Sequence, residues 1–387
     1  MTDSLLLNKL SSLKVAIVTH VYATGPAQEL EDYLKPKVER LIFIGHPFKF
    51  APNLSSFYKL YEKSELIRQL KARPYVIPEL FMYFKDIFFT FFWIFKVKGK
   101  VDIYFGVDPL NALVGVILKK LGKAQQVIFY MIDYAPKRFN NKLLNWIYHK
   151  IDSFCVRESD FVWNLSNRMS KEREKKGLSN DEHQIVVPIG VNFSRIKRLE
   201  ESMVNRMNFV YMGHVKRNQG LELVVESFKE IVKSFPESRL TIIGGGDLEP
   251  FIKEAVMKNN LSSFVEFKGY ILSHEDVEKL LATCGIGLAL YEPNPESVTW
   301  YTDPSKPKQY MACGLPVIIT AVPQVAEEVR IKNLGVVVDY EKDSFVAGAL
   351  RLLSDRDFYS TCRRNAIEFA SGMQWDSIFG KALSKVL

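Results

Sequence analysis

The chain has 387 residues, a net charge of +8 at pH 7, 47% hydrophobic residues and 25% charged residues. That length accommodates two domains with separate cores, and the composition is that of an ordinary globular protein, not a disordered or fibrous one. Four scattered cysteines, Cys155, Cys284, Cys313 and Cys362, argue against a zinc or disulfide framework and fit a reducing cytoplasm; no signal-peptide pattern opens the chain and no apolar run reaches the length of a membrane span.

In the first half, strand patterns fall at residues 15–19, 41–44, 101–105, 127–131, 161–164 and 185–188, with helix-like segments between them. Such alternation predicts a parallel sheet with helices on both faces. Ligands of these sheets bind beyond the carboxyl ends of the strands, so the residues just after each strand carry the interest. His20, Asp108 and Asp133 hold such positions. The strand before Asp133 is strongly apolar and ends on a carboxylate. Asp108 precedes Pro109, a placement that favours a helix cap. A lone histidine such as His20 is more often structural. Glu158 and Asp160 precede a strand and lie at the wrong edge of the sheet.

Residues 81–96 are densely aromatic and are followed by Lys98 and Lys100. They predict a helix that is apolar nearly all round, too short to span a bilayer and basic at its end. That pattern suits the interface of an anionic membrane, with Phe88, Phe92, Trp93 and Lys96 against the lipid, or a core helix packed on its sheet. The positive charge fits such a surface better than nucleic acid, for which no recognition motif is present.

After a polar stretch at 194–205 the pattern restarts, with strands at 208–212, 239–243, 265–268, 286–290, 317–320 and 335–338. The restart predicts a second domain: residues 1–200 and 201–374, with a last helix at 375–387 that packs back on the first. After the first of these strands, Gly213 lets the backbone approach a ligand closely. His214, Lys216 and Arg217 follow it. The run Gly244-Gly245-Gly246 lacks the dinucleotide spacing and predicts a tight strand-to-helix turn. Gly269-Tyr270 is a further strand-end turn, and Tyr291 opens a polar loop of a length that is often functional.

The stretch from Asp303 to Val317, DPSKPKQYMACGLPV, is the most informative. It predicts a loop, a helix of about two turns capped by Ser305 and stopped at Gly314, and a buried strand. Lys306, Gln309 and Tyr310 then share one face at the helix N-terminus, an anion site suited to a diphosphate. The whole string resembles the donor motif of glycosyltransferases of the GT-B architecture, in which two Rossmann-like domains with parallel sheets face each other across a cleft. The closer resemblance is to the xanthan glucuronosyltransferase family, which carries lysine and glutamine at this spacing and a donor-site tyrosine where this chain has Tyr291. More distantly it resembles the retaining, glycogen-synthase type. Two glutamates of that type are Tyr301 and Gln309 here, and its lysine-glycine pair is Gln219-Gly220. Ala370 to Trp375 resembles the tryptophan signature before the last helix of this architecture.

The resemblance implies a nucleotide diphosphate sugar donor, uridine-linked, held by Lys306, Gln309, Tyr291, Gly213, His214, Tyr270 and Tyr310. A lipid-linked or polysaccharide acceptor is expected, at the inner face of the plasma membrane where the aromatic segment would attach, and nothing in the sequence requires a metal or other cofactor. An inverting transfer needs one base in the first domain. The resemblance points to Asp133, with Asp108 as the other candidate and His20 as a contact for acceptor or phosphate. Asp355-Arg356-Asp357, the sole Asp-x-Asp, sits near a helix end and reads as structural. A retaining transferase, a nucleotide-sugar 2-epimerase and a non-catalytic nucleotide-sugar binder remain as alternative expectations.

Overall fold

The computed structural model describes residues 3–21, 24–49, 51, 53–178 and 182–387. Each strand pattern read from the sequence forms a strand. In chain order these are β1 (Lys14–Val21), β2 (Arg40–Pro47), β3 (Phe57–Glu62), β4 (Glu65–Lys71), β5 (Val101–Val107), β6 (Ala124–Met131), β7 (Phe161–Asn164) and β8 (Gln184–Val186). They build one eight-stranded sheet in the order β4-β3-β2-β1-β5-β6-β7-β8. Pairing is parallel except where β3 joins β2 and β4 antiparallel.

That β3–β4 hairpin is absent from the sequence reading, for two physical reasons. Its turn is Lys63-Ser64, both at positive φ (47° and 75°), without the Asn-Gly or Asp-Gly that marks such turns. In addition, nearly every residue of β4 is exposed, so the strand has no buried alternation to betray it.

The second half forms β9 (Asn205–Met212), β10 (Arg239–Ile243), β11 (Val265–Gly269), β12 (Cys284–Ala289), β13 (Val317–Thr320) and β14 (Gly335–Val338). These make a six-stranded sheet ordered β11-β10-β9-β12-β13-β14, parallel throughout. The two-residue repeat of a strand sends alternate side chains to opposite faces. Val210, Val317 and Ile319 enter one core, while Phe209, Tyr211 and Ile318 enter the other. By contacts the chain forms two units, Met1–Pro188 with Trp375–Leu387, and Ile189–Gln374. The divide thus falls at Ile189, ahead of the polar stretch at 194–205. The helix Trp375–Leu383 belongs to the first unit, where Phe379 meets Tyr33 and Trp163.

In both sheets the strand order reverses direction at an inner pair: β1 and β5 in the first unit, β9 and β12 in the second. A crevice opens at the carboxyl ends of such a pair. His20 and Asp108 stand at the first crevice; Gly213 and Tyr291 stand at the second.

The aromatic segment forms the helix Glu79–Lys96. Its inner face is more polar than the pattern suggested. Asp86 and Thr90 are buried beside Met82, Trp93 and Ile94. Asp86 receives the Ser56 hydroxyl and lies 3.3 Å from both His20 and His46, while Thr90 lies 2.8 Å from His46. These contacts hold the Asp86 carboxyl well below the usual carboxylate range, although burial alone would raise it. Trp93 is only 4% exposed and stacks on Phe89 and His46. It therefore lies in the core, opposite the outward row Phe81, Phe84, Phe88, Phe92 and Phe95. Among the described residues no helix is long and apolar enough to cross a membrane.

Candidate active site

The helix Ser305–Ala312 begins at Ser305 itself, with Pro304 in the capping position and no side-chain cap. This corrects the expectation that Ser305 caps: extended backbone at Pro304 (ψ 138°) delivers the chain directly into the helix. Pro307 still lies in the first turn, where its missing N–H costs nothing. Gly314 stops the helix at φ +88°, and its N–H donates to Met311 O at 3.0 Å.

Lys306 in that first turn reaches back under β9. Its ammonium donates to Gln219 Oε1 and lies 3.4 Å from Tyr211 Oη, above the rings of Tyr211 (4.7 Å) and Tyr291 (5.3 Å). Its partners are neutral, and among the described residues it has no acidic one. Burial pushes its pKa down to about 7, and the neighbouring Lys216 adds to the effect. Tyr291 is buried, and among the described residues its hydroxyl has no hydrogen-bond partner. An ammonium met only by neutral groups, over the ring of a tyrosine whose hydroxyl is unsatisfied, is costly to maintain and suits an anion site. Gly213 (φ +138°) forms the wall. A Cβ there would stand 3.2 Å from Lys306 Cδ, so a side chain would crowd the lysine stem as well as strain the backbone.

The other expected donor residues are placed differently. Gln309 does not turn toward Lys306; its amide donates to Glu278 Oε1 at 2.8 Å, and Glu278 also receives Arg195. The Tyr310 hydroxyl is fully buried and accepts from the Met212 N–H at 2.7 Å, which fixes the helix against the end of β9. His214 is exposed, its ring over the Gly246 turn. Tyr270 is 75% exposed after β11, the edge strand. Tyr211 and Gln219 were missed by the sequence reading. Gln219 occupies the place where the resembling families carry a lysine, and that substitution was the available signal.

Asp303 and Lys308 form a buried ion pair on the same loop and helix. Between them they grip Ile189 at the start of the second unit: its N–H donates to Asp303 Oδ2 at 2.7 Å, and Lys308 donates to its carbonyl at 2.8 Å. Breaking a buried pair by removing one partner leaves an uncompensated charge. Asp303→Asn is therefore expected to destabilise the protein by about 3 kcal/mol or more, read as a lower unfolding midpoint in urea.

The first unit gathers carboxylates at its crevice. Asp108 stands at the start of the helix Pro109–Lys120, yet its side chain makes no capping bond. It is held at φ +70°, rare for a residue with a Cβ, and its Oδ1 is buried without a partner. This corrects the expectation of a helix cap. Burial, reinforced by Asp133, pushes the Asp108 pKa up to about 6. Asp133 follows β6 and is half-buried, with its carbonyl accepting from Tyr148 Oη at 3.4 Å. Arg138 is half-buried near both carboxylates, and Tyr148, Asp133 and Asp108 drive its pKa up against the effect of burial. His20 spends its ring on Asp86 (3.3 Å) and Asn111 (3.1 Å). Asp355 caps the helix Arg356–Ser371, accepting from Phe358 N–H at 2.9 Å.

Asp108 also carries a stability prediction. Its folded-state pKa of about 6 lies above the free value of 3.8, so the folded state keeps a proton longer than the unfolded one. The cost of ionising it therefore grows as pH rises from about 4 to 6 and is complete above that. Asp108→Asn is expected to stabilise the protein by up to about 3 kcal/mol at pH 8 and by nothing at pH 3.5, measured by urea unfolding at both pH values.

Two Rossmann-like units, each with its residues of interest at the crevice of a parallel sheet, make this the GT-B architecture of glycosyltransferases. Residues 206–355 match the family "Glycosyl transferases group 1". Sucrose-phosphate synthase from Thermosynechococcus elongatus superposes with a TM-score of 0.73 at 16% identity, covering 96% of this chain and 98% of that one. HepE of Anabaena, in complex with UDP, superposes with a TM-score of 0.69 at 14% identity, covering 97% and 99%. Among curated sequences, a chitobiosyldiphosphodolichol beta-mannosyltransferase of Candida albicans is 24% identical over 174 residues, 44% of this chain and 37% of that protein. The chain spans less than two thirds of the length of the curated relatives it matches.

Proposed function

We propose that the protein is a glycosyltransferase that moves a sugar from a uridine diphosphate sugar to a lipid-linked or polysaccharide acceptor at a membrane surface. The observation that carries this reading is the ammonium of Lys306 at the β9–β12 crevice, without an acidic partner among the described residues and held by Gln219 over the rings of Tyr211 and Tyr291. A diphosphate supplies the missing negative charge, and the N-terminus of the helix Ser305–Ala312 adds its dipole. The UDP held by HepE and the acceptor class in the mannosyltransferase's name support the donor and acceptor classes.

In this reading transfer is a single displacement with inversion. The acceptor hydroxyl gives its proton to Asp133 as its oxygen bonds C1 of the sugar from the face opposite the diphosphate. The C1–O bond breaks, and the diphosphate leaves with the electron pair, its charge met by Lys306 and not by a metal. The absence of both retaining-type glutamates favours inversion, since Tyr301 is buried and Gln309 is tied to Glu278. Glucuronic acid is the sugar of the family that the donor motif resembles and heads the donors to test. The exposed phenylalanines of the helix Glu79–Lys96, with Lys96, Lys98 and Lys100 at its end, support peripheral attachment to an anionic membrane at the cytoplasmic face.

The test is a panel of nucleotide sugars screened for thermal stabilisation, followed by the anomeric configuration of the product formed with the best donor. Stabilisation by uridine diphosphate sugars and an inverted product are expected. A retained anomer would remove the single-displacement mechanism, and turnover of donor without any acceptor would replace transfer with epimerisation.

A further inference from the structure

A cavity of about 190 Å³ opens on the first unit at the foot of the helix Glu79–Lys96. Its floor is apolar: Tyr58, Leu60, Leu70 and Trp93, contributed by the β3–β4 hairpin and the inner face of the helix. Its rim is cationic. Arg40 is matched by Glu62 at 2.6 Å, but Arg68, Lys96 and Lys98 have no acidic partner among the described residues. Arg68 and Arg40 are close enough to act electrostatically on the Tyr58 hydroxyl. Lys96 lies 3.9 Å above the Phe92 ring, so the rim runs directly into the exposed phenylalanine row. On the hairpin side Leu66 and Ile67 are 49% and 54% exposed.

We propose that this cavity binds an anionic phospholipid, with its phosphate among Arg68, Lys96 and Lys98 and the start of its acyl chains on the Tyr58–Leu70–Trp93 floor. The inference rests on the membrane reading above and gives it a particular lipid site. A free phosphate makes no use of an apolar floor. A phospholipid satisfies the cations and the floor together, and its remaining chain lies where Phe88, Phe92 and Phe95 are exposed. The site also explains why the hairpin departs from the parallel sheet: β3 and β4 carry Tyr58, Leu60, Arg68 and Leu70 to the end of the helix.

The experiment is flotation of the full chain with vesicles of phosphatidylcholine alone or mixed with phosphatidylglycerol. Arg68→Gln with Lys98→Gln should weaken binding to the phosphatidylglycerol vesicles at least about tenfold, since each cation near an anionic surface accounts for about fivefold. Lys137→Gln with Lys142→Gln removes the same charge from the same unit away from the cavity and should change binding no more than about twofold. Leu70→Trp keeps the charge and fills the cavity; where it melts at an unchanged temperature it should also lose the preference for phosphatidylglycerol, and Leu60→Trp is the substitute if it fails to fold. Equal effects of the two glutamine pairs, or full binding by the filled variants, would overturn the site. Phe88→Ser with Phe92→Ser separates the two ideas. If it abolishes flotation while the cavity variants float normally, the membrane reading stands and the lipid site falls. If the unaltered protein floats with neither vesicle, both fall.

Discussion

Lys306→Ala is expected to abolish stabilisation by uridine diphosphate sugars and to lower kcat/KM about 10²- to 10³-fold, the usual effect of removing a fixed charge aimed at a developing anion in a dry site. The structure makes the loss hard to replace. The ammonium is placed by Gln219 and by two tyrosine rings, and Gly213 leaves room for a slender lysine stem. Lys306→Arg puts a broader planar group into that space and should recover little.

The same residue predicts the pH dependence of donor binding. In the free protein Lys306 has a pKa of about 7, below the ordinary 10.5, because burial disfavours its charge. A bound diphosphate favours the charged form. Binding above pH 7 therefore takes up a proton, and affinity should fall about tenfold for each pH unit above 7 while staying flat below it. The sign for stability is the opposite. Between about 7 and 10.5 the unfolded chain holds a proton that the folded free protein has released, so stability from this group rises with pH across that window. Titration calorimetry with an intact nucleotide sugar between pH 6 and 9 checks the first statement; a pH-independent affinity would overturn either the lowered pKa of Lys306 or its contact with the diphosphate, and Lys306→Ala tells the two apart.

Asp133→Asn is the second large effect. It should leave donor stabilisation within about twofold while lowering the transfer rate about 10²- to 10⁴-fold, because asparagine keeps the shape of the side chain and cannot accept the acceptor's proton. In this reading Lys306 binds donor from the second unit and Asp133 serves transfer from the first, so the two variants should separate cleanly: Lys306→Ala loses both, Asp133→Asn only the second. The rival is Asp108, whose orphaned oxygen and strained backbone are marks of a functional carboxylate. Near-normal transfer by Asp133→Asn together with loss in Asp108→Asn would move the base to Asp108.

Much of the fold was legible because parallel strands buried on both faces are continuous apolar runs. Val15 to Val18, Val127 to Met131 and Val317 to Ile319 need no context to be recognised. The hairpin was illegible because its identity lies in a turn and in pairing to β2, and β4 has no buried face. The helix Ser305–Ala312 was legible to within one residue, since Pro307 and Gly314 constrain its two ends by local backbone chemistry. What its side chains do was not. Gln309 and Tyr310 share the helix face predicted for them, yet Glu278 and the Met212 amide, from elements distant in the chain, take their polar groups. Trp93 shows the same limit. The pattern predicts an aromatic helix with no clear inner side, and only packing against Tyr58 and His46 turns Trp93 inward while Phe88 and Phe92 remain outside.

The sequence alone thus determined two βα-alternating units and a lysine at a helix N-terminus suited to a diphosphate, because periodicity and capping are local properties of the chain. Only the tertiary structure decided that Lys306 is left without an acidic partner and Tyr291 Oη without a hydrogen-bond partner among the described residues, that Asp108 is strained with a buried Oδ1 near Asp133, and that a cationic cavity lies at the foot of the aromatic helix. Each of these depends on which groups distant in sequence are brought close and which are denied water, and burial with partner choice sets the energy of a charge.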